Sequence, residues 1–216
     1  MTFTCEFIIL NTTKIGEKSL VLHCLTAELG RRSFIVSVGK NSHMSLFLPL
    51  NILEAEISEN SKSDLWRARN ITAIEALNGL RSSVAKNAIA MFMSEVLYRS
   101  IREGAFEQGL FEWCKRSILT LDALERDYSN FHLRFLLEFA GALGFSPSVE
   151  GLSPFAGEKM QELTQLLQSD FASSMLLPLS GEARSDIAEI LLQYLRYHSD
   201  SAINVRSLAV LRELFR

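Results

Sequence analysis

The amino-acid sequence predicts an α+β protein, with a small β-barrel over residues 1–80 followed by an all-helical domain over residues 81–216. A change of rhythm near residue 80 carries this reading. Before it, apolar residues alternate with a period near two, as along a strand with one buried face. After it they recur every three or four residues, as along a helix. The prolines stand only at positions 49, 147, 154 and 178, so the stretch between the first two is free to run through long helices. With 48% apolar and 22% charged residues, the chain can bury real cores and does not have the composition of a disordered one.

Each element follows from local chemistry. Cys5 to Leu10 is an apolar run that ends at Asn11, Thr12 and Thr13. Ser19 to Thr26 and Ser33 to Val38 are rich in β-formers, and Gly30 between them supplies the positive φ that closes a hairpin. Residues 39–43 read as a polar loop. After Pro49, Leu53, Ala55 and Ile57 alternate with Glu54, Glu56 and Ser58. Leu65 to Ile74 forms the last strand, with Arg67, Arg69 and Ile71 expected on one face. Five short strands joined by short turns suit a small closed barrel without exposed edges, and the commonest five-stranded form is the OB-fold.

The helical half begins with Ser82 or Ser83 as N-cap, then Ala85, Ile89, Phe92, Met93, Val96 and Leu97 as an apolar stripe, with Lys86, Glu95, Arg99 and Arg102 facing away. A second helix is expected over 110–125. A third, over 131–144 and capped by Asn130, is apolar almost all round and must be buried on most sides. Further helices are expected at 155–167, 182–199 and 204–215.

The net charge is −3, yet the first fifty residues hold five Lys/Arg against three Asp/Glu. That bias fits a local cationic patch rather than a basic tail. Cys5, Cys24 and Cys114 are widely spaced and include no C-x-x-C, which argues against a disulfide framework or a structural zinc site and fits reduced, buried thiols in the cytoplasm. No apolar run reaches the ~18–20 residues of a membrane span.

Two segments taken together resemble a known family. One is Gly16-Glu17-Lys18-Ser19 with Leu25-Thr26-Ala27-Glu28-Leu29-Gly30-Arg31. The other runs from Asn130-Phe131-His132-Leu133-Arg134-Phe135-Leu136-Leu137 to Leu143-Gly144-Phe145-Ser146-Pro147. With Arg206-Ser207-Leu208 to Leu214 at the end, their order and spacing resemble the bacterial recombination-mediator family RecO. The resemblance implies an N-terminal OB-fold and a helical C-terminal domain. It also implies binding of single- and double-stranded DNA, annealing of complementary strands, and action with RecR to load RecA onto strands covered by single-strand-binding protein (SSB). An SSB tail, acidic and apolar-ended, docks on such proteins, and their place is the cytoplasmic nucleoid. Many members carry a four-cysteine zinc cluster in the helical half. This sequence has only Cys114 there, so neither a metal nor any other cofactor is expected.

Lys14, Lys18, Arg31, Arg32, Lys40, Arg67 and Arg69 lie in or beside the turns and strand faces where OB-folds meet nucleic acid, and are the expected DNA-binding set. The alternative for each is an ordinary solvated cation. Phe47, near the loop, is the candidate base-stacking aromatic; Phe34, alternating with Ile35, fits the core, and Trp66 suits packing as well as stacking. Arg99, Arg102, Lys115 and Arg116 on the first two helices are the candidates for holding an acidic partner peptide. No catalytic residues are assigned. Gly16-Glu17-Lys18-Ser19 lacks the adjacent Gly-Lys of a P-loop, and His23 and Cys24 point to opposite faces of a strand. The expected function is therefore non-enzymatic DNA binding in recombination and repair. The alternative is a protein–protein adaptor whose barrel binds a protein rather than DNA.

Overall fold

The computed structural model describes residues 2–39, 43–60, 63, 65–199 and 203–216. Five strands, β1 (Thr2–Ile15), β2 (Ser19–Thr26), β3 (Gly30–Ser37), β4 (Ile52–Ser58) and β5 (Trp66–Ala73), form a closed barrel in the order β1-β2-β3-β5-β4. A 3-10 turn over Met44–Phe47 precedes β4. The helices are α1 (Asn78–Ser82), α2 (Val84–Ser100), α3 (Leu110–Ala123), α4 (Phe131–Ala142), α5 (Val149–Ala156), α6 (Met160–Gln168), α7 (Phe171–Met175), α8 (Gly181–Ser199) and α9 (Leu208–Leu214). The expected α+β class, a five-stranded OB-type barrel followed by helices, is what the chain adopts. Two compact units result, Met1–Asn78 with Ile101–Ile118, and Gly79–Ser100 with Leu119–Arg216.

The barrel core comes from the inward-facing alternate residues, among them Phe7, Leu22, Phe34, Leu53 and Ile57, with the Phe7 and Phe34 rings 5.4 Å apart. Strand β1 runs past the polar residues expected to end it. It does so through a bulge between Ile9 and Asn11, which admits Leu10 as an extra residue. A bulge reverses the phase of alternation, so both faces of Phe7–Leu10 are buried while Thr12, Thr13 and Lys14 continue in the β1–β2 ladder exposed.

A second bulge, in β5, corrects the expected arrangement of that strand. Glu56 pairs with Arg69 but Glu54 pairs with Thr72, and Asn70 takes φ 52°. Asn tolerates this left-handed conformation better than most residues. Arg67 and Arg69 stay exposed on the outer face, whereas Ile71 is turned in against the barrel core. The three do not share a face.

The β2–β3 hairpin forms as expected, with Gly30 at φ 66°. Gly30 has a second constraint: a Cβ there would lie 2.0 Å from the Ala105 carbonyl oxygen. That loop is held by Arg31 N–H donating to Ala105 O at 2.9 Å and Gly104 N–H donating to Arg31 O at 2.9 Å.

In the helical unit, the Ser83 hydroxyl accepts from Lys86 N–H at 3.3 Å and so starts α2. Lys86 itself does not face solvent. It is buried, its Nζ donates to the Asp122 carbonyl at 2.9 Å, and it sits 5.5 Å from the centre of the Tyr128 ring. Helix α4 is buried along most of its length, as its composition requires. Asn130 takes the N-cap position, but its side chain makes no capping bond. Its side-chain amide instead donates to the carbonyls of Ser174, Met175 and Leu177, because the fold buries it where those acceptors need a donor. The helix expected over 155–167 is two helices, α5 and α6. Ser148 caps the first through Gly151 N–H, and Gly157, at φ 51°, stops it.

Substituting Gly30→Ala forces both the backbone dihedral and the Ala105 contact, and is expected to cost on the order of 3 kcal/mol in urea unfolding. A second test concerns His132, which is buried against Phe92 and Phe215. Burial, then the nearby Arg184 charge, pushes its pKa down to about 3. The fold therefore favours the neutral ring. Its contribution is complete above the unfolded value of ~6.5 and is lost as pH falls below it, about 2 kcal/mol by pH 5. Wild-type protein should lose that much more stability than His132→Gln between pH 7 and pH 5 in denaturant titrations.

Candidate functional site

The barrel closes through a parallel pairing of β3 and β5 that is only two residue pairs long, Phe34↔Trp66 and Ile35↔Arg67. Past Ile35 and Arg67 the two strands separate and a cleft of about 450 Å³ opens between them. Its apolar wall is built by Val36, Ala68 and Ile71 of the strands with Leu46 and Phe47 of the 3-10 turn. Ser37, His43, Arg67, Arg69 and Asn70 supply the polar part. A second cleft, of about 410 Å³, shares Arg67 and Arg69 but includes Glu59. The two arginines thus form the wall between two hollows on the barrel surface.

Register brings two more of the expected cations to the same end of the barrel. Lys14 pairs with Leu20, which pairs with Val36 of the cleft. Lys18 lies in the β1–β2 turn, and its carbonyl accepts from Val38 N–H at 2.9 Å, just beyond Ser37. Lys14, Lys18, Arg67 and Arg69 are all exposed, and among the described residues none of them makes an ion pair. Carboxylates lie nearby: Glu17 is exposed in the same turn, and Glu56 stands across the ladder from Arg69 while accepting from the Asn70 amide at 3.0 Å.

Arg31 and Arg32 have other surroundings. The Arg31 side chain is 12% exposed, its Nε lies 3.4 Å from Glu103, and its guanidinium donates to the Ile101 carbonyl. It fastens the 101–105 loop to the barrel. Arg32 shares the inward face with Phe34 and lies over Trp66 at 5.4 Å, with Trp66 in edge contact with Phe3 at 6.2 Å. Its Nε is buried and has no hydrogen-bond partner among the described residues. Lys40 lies outside the described residues.

Sequence reasoning passed over one polar chain. Thr13 Oγ1, His23 Nε2 and Nδ1, and Ser33 Oγ connect at 3.1 and 2.9 Å across the outer face of β1, β2 and β3. Burial first, and then Arg31, lowers the His23 pKa, while Glu103 opposes them, so the ring is neutral at pH 7. The β-register that aligns these three was not readable before the bulge in β1 was known.

Of the four cations expected to hold a peptide, Lys115 is paired with Glu6 at 2.6 Å, and that hydrogen bond raises its pKa. Arg102 and Arg116 are exposed on the barrel unit. Arg99 belongs to the helical unit, beside the Tyr98 ring at 5.8 Å and close enough to Glu95 to stabilise its carboxylate. Neither cleft is lined by any of the four.

The thiols are chemically quiet. Burial pushes Cys5 up to about 12 and also raises Cys24 and Cys114. Among the described residues no group of three or more His, Cys, Asp or Glu is placed to hold a metal. No described helix is long and apolar enough to cross a membrane.

A closed barrel with this strand order, its mouth bordered by cations and joined to an all-α unit, defines an OB-fold protein with a helical extension. Within that class the chain belongs to the RecO family of DNA repair proteins. Residues 1–77 match the family described as Recombination protein O N terminal, and residues 81–153 the one described as Recombination protein O C terminal. The chain is 31% identical to the DNA repair protein RecO of Phocaeicola vulgatus, over 96% of this chain and 97% of that one. It is 30% identical to the DNA repair protein RecO of Flavobacterium psychrophilum over the whole of both. Against that of Porphyromonas gingivalis it is 22% identical, over 92% of this chain and 93% of the other.

The geometry separates structural from solvent-facing cations. Arg31→Ala removes a half-buried ion pair and a carbonyl contact, and should lower stability by ~2–4 kcal/mol in urea melts. Lys18→Ala, at an exposed position, should change it by less than ~0.5 kcal/mol.

Proposed function

We propose that the protein is a DNA-binding mediator of recombination and repair that performs no bond-breaking chemistry of its own. It binds single and double strands, anneals complementary ones, and acts with RecR to load RecA where SSB covers a single strand. The observation that carries this reading is the group of exposed cations Lys14, Lys18, Arg67 and Arg69, none in an ion pair among the described residues, around the open end of an OB barrel. Cations at such a position neutralise phosphates and release their counterions, which supplies affinity without base recognition. Two strands drawn to one cationic surface lose most of their mutual repulsion, so annealing needs no nucleotide hydrolysis. Arg102 and Arg116, exposed on the same unit as the barrel, together with Arg99, are the remaining candidates for an acidic SSB tail. This work belongs on the cytoplasmic nucleoid and calls for no cofactor.

Of the expected cations that the structure describes, the DNA-binding role rests on Lys14, Lys18, Arg67 and Arg69, which face solvent. Charge reversal at Arg31 tests folding rather than binding, because that side chain holds the 101–105 loop.

The test is a salt titration of binding to a labelled single strand. Wild-type protein should bind at about 50 mM salt and release the strand as salt rises. Arg67→Ala with Arg69→Ala removes two phosphate contacts, so the slope of log K against log salt should shrink by about 1.4. Absence of binding at low salt, with RecR present, would leave the barrel as a protein-binding adaptor.

A further inference from the structure

The two hollows beside Arg67 and Arg69 differ in one respect that decides their ligands. The 410 Å³ cleft contains Glu59, whereas the described lining of the 450 Å³ cleft contains no carboxylate. An anionic ligand held by the arginine pair is therefore drawn to the larger cleft. That cleft is also the one with a ring. Phe47 is half-buried, packed on the barrel core by one side and lining the hollow by the other. A site with an aromatic face, an aliphatic wall and two cations at its border is complementary to a planar apolar group flanked by negative charge.

Arg67 and Arg69 are two residues apart on a strand and both point outward, which spaces their Cα atoms by ~6.7 Å. That is the step between neighbouring phosphates of an extended single strand. Ser37 and His43 add hydrogen-bonding groups for a base edge. The volume lies within the ~300–1,000 Å³ range of small-ligand sites.

We infer that the cleft between β3 and β5 seats one unpaired nucleobase of a single strand, stacked on Phe47, while Arg67 and Arg69 hold the phosphates on either side of it. The inference rests on the DNA-binding reading above and adds a base-contacting site to it. Every base has a π-face, so the site tolerates any sequence. A base inside a duplex has both faces covered, and extracting it costs a few kcal/mol, so the cleft works on single strands and leaves duplexes to the cations alone.

The experiment compares the full chain on two 20-nucleotide strands of equal phosphate count, one oligo-dT and one abasic, by fluorescence anisotropy at about 50 mM salt. Wild-type protein should bind oligo-dT about tenfold more tightly than the abasic strand, as one stacked base gives. Phe47→Leu keeps the apolar packing on the barrel and should bind both strands with the abasic affinity, its melting curve showing that the barrel is intact. Oligonucleotides carrying 5-iodouracil should crosslink at Phe47. Equal affinity for the two strands in the wild type overturns the inference while DNA binding itself stands. A base preference that survives Phe47→Leu, or crosslinks confined to other residues, places stacking elsewhere and also overturns it. If neither strand binds, the proposed function fails along with it. If an acidic, apolar-ended peptide displaces oligo-dT while the abasic strand binds equally well, the cleft belongs to a peptide.

Discussion

Everything about the candidate site depends on how the barrel is closed. Antiparallel ladders join β1 to β2, β2 to β3, β1 to β4 and β4 to β5 over most of their length, but the final seam, β3 against β5, is parallel and two pairs long. A longer seam would zip β3 and β5 together and leave no hollow between them. No seam would leave two edges exposed to other chains. The short one does neither. It brings Phe34 beside Trp66 and Ile35 beside Arg67, then lets the strands part so that Val36 and Ala68 line a hollow instead of a ladder. The bulge at Asn70 completes the arrangement by turning Ile71 inward as wall while the arginines before it stay outside.

The same barrel shows why a count of charges says little about binding. Arg31, Arg32 and Lys115 carry the same charge as Arg67 and Arg69 but serve the architecture. One ties down a loop, one lies over an indole, and one pairs with Glu6 on β1. A cation already paired or partly desolvated has little attraction left for a phosphate. A chain with net charge −3 can therefore present a cationic surface, provided that its acids lie elsewhere. Here the described lining of the larger cleft is free of them.

The helical unit is organised around buried polar groups as much as around apolar ones. The Asn130 amide serves three backbone carbonyls, two at the end of α7 and one just past it, and Arg184 donates to the carbonyls of Leu179 and Phe215. Phe215 lies beside His132 and Arg184, so the end of the chain is locked into the unit by aromatic and guanidinium contacts. Gly181 belongs to the same lock, since a Cβ there would meet the Phe215 carbonyl oxygen at 2.3 Å.

Much of this was legible from residues alone, because local rules govern it. The change of period near residue 80, the turn at Gly30 and the Ser83 start of α2 all follow from neighbours a few positions away. So does the burial of Cys24 and of most of α4. What composition and spacing left open was decided by partners distant along the chain. Asn130 looked like a cap until the carbonyls of 174–177 arrived beside it, and Lys86 looked solvent-facing until the Asp122 carbonyl did. Single inserted residues at the two bulges reversed the faces of β1 and β5, which no alternating pattern announces. The sequence by itself determined which stretches become strands and helices, since periodicity and turn chemistry are local. Only the tertiary structure decided which cations remain facing water and where the barrel opens, since both depend on side chains brought together by closure.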